Sequence, residues 1–284
     1  VEIDSTFAVA YLYLGVSQSR AWNRVEATRA FRKARHHAAK ATERERLYID
    51  ATCAKDIEGD DDSAIRIYRE LLEKYPREKY AWSFLGNLYR ARGMNREAVS
   101  CTERALELDP TFGLALNLLA YSHINLGDHR KAIEIFRRYC ALYPGDANPY
   151  DSMGEACFNT GDLGEAARMY AKAHALKPQL GSAVMLSYIC GMRGEYREAI
   201  RWIEEDMRTQ TLPGRLAADH LWRATYRSCL GRRAGALEDA RRGLEMADSI
   251  GSSGLMQSSR DVEAVLLFDW DRLDEATESL YARS

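Results

Sequence analysis

KYAWSFLGNLYRARGMNREAVSCTERALELDP, residues 79–110, decides the fold. Trp82, Leu85, Gly86 and Tyr89 recur at helical spacing, and Ala98, Thr102 and Ala105 recur in the same way after Gly93. The stretch therefore reads as two amphipathic helices joined by a turn. Moving outward, Pro76, Pro110, Pro144 and Pro178 stand 34 residues apart, and Ala64, Ala98, Ala132 and Ala166 keep the same beat. A period of this length marks an array of helix–turn–helix units, each burying its apolar face against its neighbours. No strand-like alternation runs for any length, so the chain is expected to be all-α.

One unit explains its own residues. Gly86 and Ala98 are small where two helices must approach, and Trp82 and Tyr89 fill the space beside them. Gly59, Gly93, Gly127 and Gly161 fall just past the first helix, where a left-handed cap is needed. Asp60, Asp128 and Asp162 follow as N-caps of the second helix, and Glu165 suits a capping box with Asp162. Pro110 and its equivalents end the second helix, since proline lacks the N–H that a helix interior requires.

These residues resemble the tetratricopeptide repeat family. Trp82, Leu85, Gly86, Tyr89, Ala98, Ala105 and Pro110 match its pattern. Thr102 departs from it, because the family places an aromatic there, as Tyr68, Phe136 and Tyr170 do in the neighbouring units. The resemblance implies a right-handed α-solenoid. Four units, 45–78, 79–112, 113–146 and 147–180, keep the period, and 8–44 fits with three extra residues. Residues 1–7 align with 106–112 and are expected to be the tail of a preceding repeat. Beyond 180 the beat loosens: Ala199 follows Ala166 by 33, Ala236 follows by 37 and Ala276 by 40. Degenerate units are expected at 181–216, 217–256 and 257–284.

In that family the inner face of the first helices lines a concave groove for extended peptides or helices. The residues opposite the core stripe here are Tyr80, Ser83, Asn87 and Arg90, then Leu114, Asn117, Tyr121 and Asn125, then Asn148, Asp151, Ser152, Glu155 and Asn159. Asparagine is a poor helix former, and its carboxamide can both donate to and accept from a peptide main chain. A protein or peptide partner gripped by this ladder is the expected function, with Tyr80 and Tyr121 as anchors. Ordinary polar surface with interhelix hydrogen bonds is the other reading of the same residues. The lysine–asparagine–arginine clamp of some chaperone-binding members does not assemble: Ser83 stands where its lysine belongs, and Leu118 where its second asparagine belongs.

Farther along, Met185, Ile189 and Met192 make the face apolar and suggest an alternative, a small-ligand pocket in a regulatory region. ATERERLYIDA at 41–51 and AIRIYRELLEKYP at 64–76 also resemble repeats attached to bacterial multidomain signalling and transcription regulators.

Six cysteines lack any paired C-x-x-C spacing and read as buried small residues of a reducing compartment, with Cys53 on the groove side of its helix. No nucleophile elbow, P-loop or H-E-x-x-H pattern occurs, so no catalysis, cofactor or metal is expected. His123 replaces the aromatic equivalent of Tyr89 and is expected in the core. Glu58–Asp62, EGDDD, tempts a calcium reading, but helix capping explains it better. Arg20–Arg46 holds nine Lys/Arg against three Glu, and a second basic stretch runs from Arg215 to Arg242. These runs read as the solvated outer faces of helices, without the interleaved aromatics of a nucleic-acid groove. No apolar run approaches the ~20 residues of a membrane span, and no signal peptide opens the sequence, so a cytoplasmic location is expected. Association of copies through the repeat ends is left open.

Overall fold

A computed structural model describes residues 7–20, 23–268 and 275–276, so the expected tail at 1–7 lies, apart from Phe7, outside the described residues. The described residues form fifteen α-helices and no strand. They fall into two compact units, Val1–Leu142 and Tyr143–Ser284. The fold is the all-α solenoid class.

The first unit holds α1 (Ala8–Arg20), α2 (Arg24–His37), α3 (Glu43–Cys53), α4 (Asp61–Lys74), α5 (Lys79–Ala91), α6 (Asn95–Leu108), α7 (Gly113–Asn125) and α8 (His129–Leu142). Consecutive helices pair as antiparallel hairpins. In α5 and α6 the close approach is measurable: a Cβ added to Gly86 would sit 3.1 Å from Thr102 Cγ2 and 3.2 Å from the Ala98 carbonyl oxygen. Thr102 is wholly buried, and its hydroxyl donates to the Ala98 and Val99 carbonyls at 2.8 and 2.9 Å. Its side chain thus packs against Gly86 where the neighbouring units carry an aromatic, and satisfies its own polar atom. Where the aromatic is kept, as in Phe31 and Phe136, it is fully buried.

The turns follow the capping logic. Gly59, Gly93 and Gly127 have φ of 67°, 73° and 80°. Asp60 Oδ1 accepts from Ser63 N–H at 2.9 Å and Asp128 Oδ1 from Lys131 N–H at 3.3 Å. Elsewhere in the acidic run the carboxylates make ion pairs between helices, Asp62 with Arg92 and Glu58 with Arg35. Between α3 and α4 the chain makes one π-helical turn, Ala54–Glu58, which widens the end of α3.

The second unit holds α9 (Ala147–Asn159), α10 (Leu163–Leu176), α11 (Ser182–Met192), α12 (Tyr196–Thr209), α13 (Pro213–Cys229), α14 (Arg233–Ser249) and α15 (Ser253–Phe268). Asp162 Oδ1 caps α10 by accepting from Glu165 N–H at 3.0 Å, but the Glu165 side chain pairs with Arg168 and no reciprocal box is recorded there. The capping box that does form is at Thr42 and Glu45, starting α3. That cap starts α3 at Glu43 and Pro213 starts α13, so the expected boundaries at 44/45, 216/217 and 256/257 fall within α3, α13 and α15. The longer beat beyond 199 has a plain cause, since α13 and α14 are each 17 residues long.

Candidate functional site

In the first unit, α1, α3, α5 and α7 lie side by side and enclose a cleft of about 320 Å³. Its apolar lining is Tyr68, Phe84, Leu114, Leu118 and Val16, with Ser19, Thr52, Lys55, Asp56 and Asn87 as polar groups. Tyr68 rises from α4 between them. Its ring is buried, its hydroxyl meets Thr52 Oγ1 at 3.4 Å, and burial raises its pKa. Phe84 stands 5.9 Å from that ring, centroid to centroid. The π-helical turn carries Lys55 and Asp56, which pair at 3.3 Å. Cleft and rim together offer an apolar socket bordered by one cation, one anion and a carboxamide.

The expected groove residues divide around this cleft. Asn87 lines it, and Arg90 Nη2 donates to Asn87 Oδ1 at 3.2 Å, so the carboxamide N–H groups are left to donate. Asn117 and Tyr121 are half-buried on α7, with Tyr121 packed edge-on against Phe136 at 5.4 Å. Tyr80 is 47% exposed and meets Phe112 edge-on at 4.9 Å. Two placements differ from expectation. Ser83 is wholly buried and lines no groove. Its register equivalent Asp151 shows why: that position meets the start of the next first-helix, where Ser182 Oγ donates to Asp151 Oδ1 at 2.6 Å. Asn125 ends α7 and donates through Nδ2 to Asn95 Oδ1 at 3.1 Å, so it ties one repeat to the previous one.

In the second unit Asn148 is exposed and its backbone N–H donates to Asp146 Oδ1, a helix cap. Glu155 and Asn159 are exposed, Ser152 is buried, and burial raises the Asp151 carboxyl while the Ser182 hydroxyl opposes this. The apolar trio differs in burial along its stripe of α11: Ile189 is wholly buried and Met192 is 56% exposed. The beat shortens to 33 between Ala166 and Ala199, which moves Tyr188 and not Ile189 into the register of Asn87. Ser187 then occupies the Gly86 position and donates to the Ala199 carbonyl at 2.8 Å. Along α9, α11 and α13 runs an aromatic line: Phe158 lies 5.8 Å from Tyr188, and Tyr188 5.4 Å from Trp222. Trp222, like Phe84 in the first unit, stands two residues before the small helix-contact position, a signal that would have found both.

Cys53 faces away from the groove. It is fully buried, its thiol donates to the Phe31 carbonyl at 3.6 Å, and burial pushes it up to about 11. Cys229 is exposed, against the expectation that all six cysteines are buried. His123 is buried, and burial lowers its pKa, as a core position requires. Among the described residues no three His, Cys, Asp or Glu side chains converge to hold a metal ion.

Comparison with known proteins matches two tetratricopeptide repeat family models, at residues 46–77 and 85–147. Anaphase-promoting complex subunit 3 of Schizosaccharomyces pombe is 27% identical over 109 residues, 38% of this chain and 16% of that protein. The chain thus spans a small part of that relative. Among solved structures, PilW, a type IV pilus biogenesis factor, has a TM-score of 0.61 at 19% identity over 75% of this chain and 97% of its own. The anaphase-promoting complex assembly of Cut9 and Hcn1 has a TM-score of 0.58 at 16% identity over 92% of this chain and 51% of its own. These two likenesses are of fold.

Proposed function

We propose that this chain, a member of the tetratricopeptide repeat family, is a protein–protein interaction scaffold. Its first unit holds an extended partner segment along α3, α5 and α7, with one apolar partner side chain seated in the cleft of Phe84, Leu114 and Leu118. Asn87 donates to the partner main chain beside that anchor, and Tyr121 extends the contact along α7. The observation that carries this reading is the cleft itself, an apolar socket with polar groups at its rim, the form that fixes both the position and the direction of a bound chain. The role is one of binding and not of catalysis.

Proteins retained by the immobilised chain, identified by crosslinking and mass spectrometry, test it. Phe84→Asp should abolish retention and Asn87→Ala weaken it by roughly 1–2 kcal/mol, the value of one hydrogen bond left unmade. Arg32→Ala, on the outer face of α2, should change little beyond the salt dependence of association. Retention that survives Phe84→Asp and fails in Arg32→Ala would place the contact on the outer basic face instead.

A further inference from the structure

In the second unit the consecutive helices α12 and α13 each bury one carboxylate, and the charge of the first acts on the second. Asp206 on α12 is 1% exposed and Asp219 on α13 is 2% exposed. No donor bonds Asp206 Oδ1, Asp206 Oδ2 or Asp219 Oδ2 among the described residues. The nearest cation, Arg215 at the start of α13, comes only to 3.8 Å from Asp206 Oδ2 and is 39% exposed. Its guanidinium packs over Gly181, whose φ of 91° and missing Cβ make the room. Arg223 is spent elsewhere: Nε and Nη2 donate to Asp239 of α14 at 3.0 and 2.6 Å. Asp151 of α9 also draws on the Arg215 charge. The two buried carboxylates therefore have no cation within hydrogen-bond reach of Asp206: Arg215 is distant and partly solvated, and Arg223, held by Asp239, lowers Asp219 only through its charge.

Two ionised carboxylates without donors in an apolar setting are strongly unfavourable, and a single proton between them removes both the charge repulsion and the unmet acceptors. We propose that Asp206 and Asp219 share one proton and that this proton latches α12 to α13, making the second unit tighter in mildly acidic than in mildly alkaline solution. Consistent with the geometry, burial and then the Asp206 charge raise the Asp219 carboxyl from 3.8 to about 7. The sign is opposite to that of an ordinary surface carboxylate. Between these two values the folded pair holds a proton that the unfolded chain has lost, so stability falls as pH rises, and the loss is complete above the folded value.

Hydrogen exchange of the full chain, corrected for intrinsic rates, tests this. On lowering the pH from about 8 to about 5.5, a carboxyl moved from 3.8 to about 7 should slow exchange through opening of α12 and α13 by roughly 30-fold. Asp219→Asn supplies the bridging donor permanently, so α12 and α13 should be as protected at the higher pH as at the lower. Should that variant fail to fold, Asp206→Asn carries the same test from the other side. A protonated-carboxyl stretch in difference infrared spectra near neutral pH, lost in either variant, should accompany the effect. Exchange in α12 and α13 that is the same at both pH values, or a wild-type pH dependence that persists in the asparagine variants, overturns the proposal.

Discussion

At the scale of single residues, the array depends on how closely two helices can approach, and Gly86 sets that distance for α5 and α6. An alanine there gains up to about 1 kcal/mol in helix propensity. Its Cβ would stand 3.2 Å from the Ala98 carbonyl oxygen and 3.3 Å from Cys101 Cβ, and a backbone carbonyl in a packed helix has little freedom to yield. Overpacking costs about 1–3 kcal/mol, so net of the helix-propensity gain Gly86→Ala should lower stability by up to about 2 kcal/mol in urea unfolding at unchanged m-value. An increase in stability would mean that α6 shifts freely. Gly86, Ala98 and the capping aspartates were legible in the sequence because each answers a demand made within one helical hairpin. Ser83 was not, because its burial is imposed by the start of the next repeat. Ile189 was misplaced because one deleted residue rotates every later position of a helix by about 100°.

At the scale of elements, the start of α5 is tied to the turn that follows α6. Lys79 Nζ donates to Asp109 Oδ2 at 2.6 Å, and the ammonium also lies 4.8 Å from the Phe112 ring centre. Hydrogen bonds from Lys79, and then from Thr111, hold the Asp109 carboxyl at about 2, below its ordinary 3.8. A lowered carboxyl contributes stability above its unfolded value, and that contribution is lost as pH falls through the folded one. Asp109→Asn should therefore flatten the acid limb of stability between roughly pH 4 and 2: the variant is less stable at neutral pH, where the carboxylate's contribution is fully present, and converges with the wild type in acid. The pair is partly solvated, so the whole effect should stay below ~1 kcal/mol. A thermal-melt series across that range checks it; an unchanged acid limb would mean the ion pair carries no net stability. The same scale shows where the sequence misled: the 34-residue period located the strict hairpins, yet α3 begins at a Thr42 capping box and α13 at Pro213, and neither start follows the period.

At the scale of the molecule, each compact unit carries its own core, and the repeats within it make mostly neighbour contacts, so stability should behave as a sum of local terms and not as one indivisible quantity. Trp82 is a suitable probe. Its half-buried ring packs against two clusters, one with Leu72, Leu85 and Tyr89 and one with Ala105, Phe112 and Ala115, and its Nε1–H donates to the Pro76 carbonyl at 2.9 Å. It thus joins the repeat of α5 and α6 to both its neighbours. Truncating a large aromatic to alanine in a full core costs about 3–5 kcal/mol, and the partial exposure of this ring places Trp82→Ala at roughly 2–4 kcal/mol. In a linear array that loss should be read out locally. Hydrogen exchange should accelerate most in α4 to α7 and fade with distance, leaving α13 and α14 close to the wild type. Acceleration of equal size in every helix would show that the chain opens as a single cooperative body, and the additive description would then fail.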